Sequence, residues 1–233
     1  MKKYLFLGMC AILVGCSTTG SLKKGSEISP SGLISIMSNK DITWYGEKEE
    51  SSSVLGYLIN KKADEITGEN AINLLSNAEK TLRDALSKND VEVIDPFVII
   101  NSEIYLSAKE DILLKASGFV VPDGYRYLTN KDSGLVKKIC HSTGIKSCLY
   151  IDFQFQKKKF SGMQKNAVAR AYVTMNAVLL DSNGKIIFQN SYNASSKETF
   201  AIVGGIYNPD SLMSLFPDVI NQVCEKFALE LKK

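Results

Sequence analysis

The hydrophobic positions follow two different periods along the chain, and the switch between them outlines the fold. From about Gly68 to Lys88, the residues Ala71, Leu74, Leu75, Ala78, Leu82, Ala85 and Leu86 recur at i, i+3, i+4 and i+7. That spacing draws one apolar stripe on a helix and leaves Glu79, Lys80, Arg83 and Asp84 for solvent. Asn89-Asp90 should end the helix. Val91 to Ile94 then reads as a strand that Pro96 interrupts. Ser107 and Glu110 make a capping-box pattern, which predicts a short helix through Leu113 and Leu114, stopped by Gly118. Asp132 or Ser133 opens another, with Leu135, Val136 and Ile139 inward and Gly144 at its end. From there the period becomes two. Leu149, Ile151, Phe153 and Phe155 alternate with Tyr150, Asp152, Gln154 and Gln156. Ala171, Val173, Met175, Ala177 and Leu179 alternate in the same way with polar neighbours, Arg170 and Tyr172 among them. Asp181-Ser-Asn-Gly184 makes a hairpin loop, and Lys185 to Tyr192 returns as the paired strand. A last helix starts near Pro217, with Ile220, Val223, Cys224, Phe227 and Leu231 inward.

This order of helix, strand, helices, three-stranded antiparallel meander and helix predicts an α/β (α+β) fold. It is a mixed sheet with a C-terminal meander, covered by helices in a single globular domain over residues 33–233. Residues 33–66 are the least regular part. Ile42 to Tyr45 and Val54 to Ile59 are candidate strands there, separated by a charged, Ser-rich turn over 47–53.

Ahead of the domain the pattern is of another kind. Lys2 and Lys3 precede eleven apolar residues, Tyr4 to Val14. A spanning helix needs roughly 20 residues, so the stretch suits a signal segment. It ends in Leu13-Val14-Gly15-Cys16, which resembles the lipobox of bacterial lipoprotein precursors at every position. The resemblance implies removal of residues 1–15 by cleavage between Gly15 and Cys16. It also implies diacylglycerol on the Cys16 thiol and an acyl chain on the new amino terminus. One chain holds only marginally, whereas two or three make a stable anchor. By resemblance to enterobacterial sorting, Ser17 in place of Asp implies the periplasmic face of the outer membrane. Residues 17–32 are rich in Ser, Gly, Thr and Lys and read, with Cys16, as a flexible tether over 16–32.

Composition narrows the partners. The 233 residues are 45% hydrophobic and 23% charged, as expected of a folded globular protein. Without Lys2 and Lys3, 26 bases face 25 acids. That balance gives no footprint for nucleic acid. Lys157-Lys158-Lys159 reads as a solvated strand end.

Three local patterns carry a wider resemblance. A helix running Ala78 to Leu86 precedes Val91-Glu-Val-Ile-Asp95; a second, Leu135 to Cys140, leads into Cys148-Leu-Tyr-Ile-Asp152; and Val173 to Leu180 pairs with Ile186 to Asn190 around an Asp–Gly turn. In these the chain resembles a superfamily of bacterial envelope lipoproteins. It includes the curli-secretion channel, the lipoprotein activators of penicillin-binding proteins and the amino-terminal domain of the Tol–Pal β-propeller protein. The resemblance implies an α/β fold and a protein that works by contacting other envelope proteins. Two departures limit it. The channel's two long lipid-facing hairpins are not visible here. The long Pro-rich tether of the synthase activators is also missing, since residues 17–32 contain only Pro30.

Little in the chain builds a reaction centre. His141 is the sole histidine and sits where a cationic side chain suits a helix end. Asp95, Asp152, Asp181 and Glu198 form no recognisable acid–base pair. Cys140 and Cys148 bracket a turn, so they read either as a disulfide, which an extracytoplasmic setting permits, or with Cys224 as buried thiols. Gly204-Gly205 lacks the context of a nucleotide fingerprint and reads as a mobile loop. The expectation is therefore a non-enzymatic, membrane-anchored module that binds another envelope protein. It needs no metal and no cofactor beyond the lipids on Cys16. The expected contact surface is the loop Ser195 to Asn208, with Gly204 and Gly205, together with the exposed strand face bearing Arg170 and Tyr172. Capture of a small ligand in a cleft, and oligomer formation through the sheet edges, are the alternatives.

Overall fold

A computed structural model describes residues 25–46, 54–163 and 165–232. Gly15, Cys16, the signal segment and the turn expected over 47–53 lie outside the described residues. In chain order the elements are α1 (Gly25–Ile28), β1 (Ser31–Asn39), β2 (Thr43–Trp44), α2 (Val54–Lys88), α3 (Pro96–Ile100), α4 (Glu103–Leu106), α5 (Ile112–Ala116) and β3 (Phe119–Val120). They continue as α6 (Ser133–Thr143), β4 (Ser147–Met163), β5 (Asn166–Asp181), β6 (Ile186–Ser195), β7 (Phe200–Val203), α7 (Pro209–Met213) and α8 (Phe216–Lys232).

The strands form one mixed sheet in the order β3-β1-β4-β5-β6, with β2 beside β4 and β7 beside β5. β1 runs parallel to β4, and β4, β5 and β6 form the expected antiparallel meander. One face is closed by α2 and α8. The predicted stripe of α2 is buried at all seven positions, and so is that of α8. Phe216 packs edge-on against Phe155, and Phe227 against Phe188 and Tyr192. The opposite face is packed by the short helices: Ile99 of α3 and Ile145 approach Gly32, Tyr105 of α4 donates to the Ile34 carbonyl, and Cys140 of α6 meets Cys148.

Several local expectations change. Val54–Ile59 is the first turn and a half of α2 rather than a strand. Leu55, Leu58 and Ile59 fit helical spacing as well as a short apolar run fits β, and length decides between them. Residues 25–32 are not tether. Ile28 and Ser31 are buried, and β1 begins at Ser31, so the domain starts ahead of residue 33. Val91 to Ile94 contributes only an isolated bridge, Val93 to Ser31. Ser107 closes α4 instead of opening a helix, and Asp111 caps α5 with its carboxylate accepting from the amides of Leu113 and Leu114. Asp132 caps α6 at Leu135, as expected, and Gly144 ends it in the left-handed region at φ 74°.

A cation–aromatic collar at the far end of the long hairpin

β4 and β5 run 17 and 16 residues, well beyond the part that β1 accompanies. β1 covers β4 only to Phe153, and β6 covers β5 only to Tyr172. Past these points the hairpin is supported by β2 on one side and β7 on the other. A strand rises about 3.3 Å per residue, so Met163 lies roughly 50 Å along β4 from Ser147, the partner of Ser31. Gly162 lets the hairpin close: at φ 83°, a Cβ there would collide with the Asn166 carbonyl.

Alternation along β4 sends successive lysines to opposite faces. Lys157 is almost fully buried, its ammonium 4.9 Å from the centre of the Tyr207 ring and 5.5 Å from that of Trp44. Lys158 points the other way, 4.7 Å from the Tyr172 ring and 5.1 Å from the Tyr45 ring, which themselves lie 4.2 Å apart. A bulge between Lys159 and Ser161 makes Phe160 an extra residue of β4. The Arg170 guanidinium covers that ring at 4.2 Å, and its buried Nε has no hydrogen-bond partner. Rings therefore hold these cations at fixed positions. Beyond this collar the hairpin ends in exposed apolar side chains: Phe160, Met163, Val203 and Ile206, exposed by 58%, 72%, 70% and 49%. Backbone pairing makes three of them neighbours, since Met163 opposes Asn166, Asn166 opposes Val203, and Val203 bridges to Ile206.

Of the expected contact residues, Arg170, Gly204 and Gly205 belong to this end. Tyr172 does not face solvent as expected: it is buried under Lys158 and Tyr45. The segment Ser195 to Asn208 is not simply a loop. Phe200 to Val203 forms β7, and the amides of Gly204 and Gly205 are donated to Asn166 Oδ1 at 2.9 Å and the Lys165 carbonyl at 2.7 Å. The sequence reading missed Trp44, Tyr45, Phe160 and Tyr207. Phe160 adjoins the lysine run in the sequence, but Trp44, Tyr45 and Tyr207 come from distant segments that only the fold brings beside it.

His141 is exposed on the last turn of α6. Asp95 caps α3, its carboxylate accepting the Phe97 amide, and Asp181 accepts the amides of Asn183 and Lys185 in its hairpin. Cys140, Cys148 and Cys224 are free and buried. Cys140 and Cys148 do touch, Sγ to Sγ, at 3.5 Å. Their shared hydrogen bond lowers the Cys140 pKa and raises that of Cys148. Asp152 is less of a surface residue than its strand position implied. Burial raises its pKa to about 6, against the hydrogen bonds from Asn176 and Gln154, and its Oδ1 has no partner. A groove of about 380 Å³ beside α5 and α6 has the volume of a small-ligand site. Its lining mixes the charged Lys109, Glu110, Asp111 and Asp132 with the apolar Ile112, Leu113, Leu128 and Leu135.

No family model and no curated protein matches the chain. Among solved structures, it is similar to lipoprotein GNA1162 from Neisseria meningitidis, at 18% identity and a TM-score of 0.28 over 83% of this chain and 96% of that one. It is also similar to protein XCC0632 from Xanthomonas campestris, at 16% identity and a TM-score of 0.26 over 47% of this chain and 66% of that one. The C-terminal domain of LpoB from Salmonella enterica gives 11% identity and a TM-score of 0.25 over 71% of this chain and 86% of that one. These likenesses are distant, and no residue role is carried over from them.

Proposed function

We propose that this chain is a lipid-anchored envelope protein that binds another protein through the far end of the β4–β5 hairpin and carries out no catalysis itself. The apolar end with its cationic collar supports the reading. Large side chains at Met163 and Val203 are exposed by 72% and 70% where they contribute little to the fold. Exposed apolar groups gathered in one place and rimmed by charge are characteristic of an interaction surface. Lys158 and Arg170, held over rings, give such a surface a fixed charge pattern, which governs partner choice and encounter more than raw affinity. The anchor reading rests on the lipobox at Leu13 to Cys16, and the outer membrane on Ser17.

Photo-crosslinking from positions 163 and 203 of the intact lipoprotein in its native envelope tests the reading. A discrete protein adduct from both positions is expected, and its yield should fall when Arg170 is changed to Glu. Adducts from Ile72, on the exposed side of α2, with none from 163 or 203 would reject this surface.

A further inference from the structure

We infer that the protein met by the hairpin end presents an acidic surface, and that one of its carboxylates sits between Lys158 and Arg170. The inference rests on the protein-binding reading and specifies the chemistry of the partner. The register of the hairpin gathers the side chains concerned on one face of the sheet. Lys158 opposes Arg170, Met163 opposes Asn166, and Asn166 opposes Val203. Directly paired residues share a face, and so do alternate residues of one strand. Asn166 and Arg170 are four positions apart on β5, so Met163 and Val203 stand on the face that carries the two cations. Met163 lies about 17 Å from Lys158 along β4. A standard interface covers about 800 Å² on each partner, wide enough for one protein to meet both the charges and the apolar groups.

The hairpin carries charge of one sign. Residues 153–180 contain no acid, and neither do residues 199–209, which hold β7 and the turn after it. Lys157, Lys158, Lys159, Lys165 and Arg170 all fall in the first of these spans. The rings beside Lys158 and Arg170 attract a cation through their quadrupole but bring no net charge. The two therefore stay a like-charged cross-strand pair, whose repulsion the rings offset without removing. A carboxylate placed between them accepts a charge-assisted hydrogen bond from each and cancels that repulsion. Lipid head groups move past one another and gain nothing from cations held at set positions. A folded partner with a carboxylate at a matching position gains both orientation and selectivity, so the ring-held pair points to a protein.

A water-soluble carbodiimide tests this, because it joins an amine only to a carboxylate in contact with it. The intact lipoprotein, carrying a photo-crosslinker at position 163, would be treated in its native membranes and the linked peptides read by mass spectrometry. An amide between Lys158 and an Asp or Glu of the same protein that position 163 captures is expected. The yield from position 163 should fall about tenfold when Lys158→Met and Arg170→Met are combined. It should fall likewise for the unaltered protein in about 1 M salt, where charges are screened beyond about 3 Å. A protein captured from 163 with no carboxylate joined to Lys158, and a yield indifferent to both changes, would overturn the acidic surface and leave the protein-binding reading standing. An amide from Lys158 to Glu47, Glu49 or Glu50 of its own chain would also overturn it, since the place between the cations would then be taken. Phospholipid as the sole adduct from 163 would remove the protein-binding reading and this inference together.

Discussion

Lys158 and Arg170 stand directly opposite each other on β4 and β5, two cations in one cross-strand pair. Like charges so placed repel, and the aromatic rings draw them apart: Lys158 to Tyr172 and Tyr45, Arg170 to Phe160. Replacing the buried Tyr172 by Leu should lower stability by about 2–3 kcal/mol, from lost packing and a lost cation–ring contact. Phe160 is exposed, and Phe160→Ala should cost less than about 1 kcal/mol. Urea titrations at low and high salt check this. The deficit of Tyr172→Leu should shrink with salt as the repulsion is screened, and a salt-independent deficit would show that the repulsion is unimportant.

The Tyr105 hydroxyl donates to the Ile34 carbonyl and accepts the Arg126 amide, each at 3.0 Å. Ile34 sits where the β1–β4 register shifts, so this hydroxyl satisfies a carbonyl at an irregularity of the ladder. Burial pushes its pKa up to about 12. Tyr105→Phe keeps the ring and strands both peptide groups, at an expected cost of about 2–3 kcal/mol. Hydrogen exchange should show faster loss at the Arg126 amide, and unchanged exchange there would rule the bridge out.

Asp152 makes stability depend on pH in an identifiable direction. Its folded pKa of about 6 lies above the ordinary 3.8, so the fold favours the neutral acid. The benefit is complete below about pH 4 and is lost as pH rises through about 6. Asp152→Asn should therefore stabilise the protein by about 1–2 kcal/mol near pH 8 and by almost nothing near pH 4. Thermal melts at the two values decide it, and an equal effect at both would refute the account.

Cys140 and Cys148 are already in contact at 3.5 Å. Oxidised glutathione should join them, taking up the two thiol hydrogens to give two reduced glutathiones. Mass analysis should find the loss of two hydrogens localised to these residues, with Cys224 unchanged in the core. The bridge should add about 2–3 kcal/mol in the chain-entropy model. Mixed glutathione adducts without a bridge would show that the two sulfurs cannot reach bonding geometry.

The parts of the fold with a solvent-facing side were legible in the sequence. The stripes of α2 and α8 and the alternation of β4 and β5 record which side meets water, and every position assigned inward on the two helices is buried. β1 was missed for the opposite reason. It is buried from Ser31 to Ser38, so Gly32-Leu-Ile-Ser-Ile-Met37 shows no alternation, and its three serines mimic a loop. β7 was missed because four residues carry too little pattern. Arg170 and the two glycines could be placed at the candidate site, but the burial of Tyr172 depends on Tyr45, which comes from a distant segment and arrives only through the pairing of β2 with β4.

In the proposed function, the length of β4 and β5 beyond the rest of the sheet would act as a spacer between lipid and partner. Side chains on a strand repeat every two residues. Removing two residues from each strand would thus pull the contact end back by about 7 Å with both faces in register. Removing one from each, on the sheet side of the collar, would turn Lys157, Lys158 and Arg170 to the opposite faces, away from the rings they meet. Reach and orientation can be varied separately in this hairpin, and a partner held at a fixed height above the membrane would sense each.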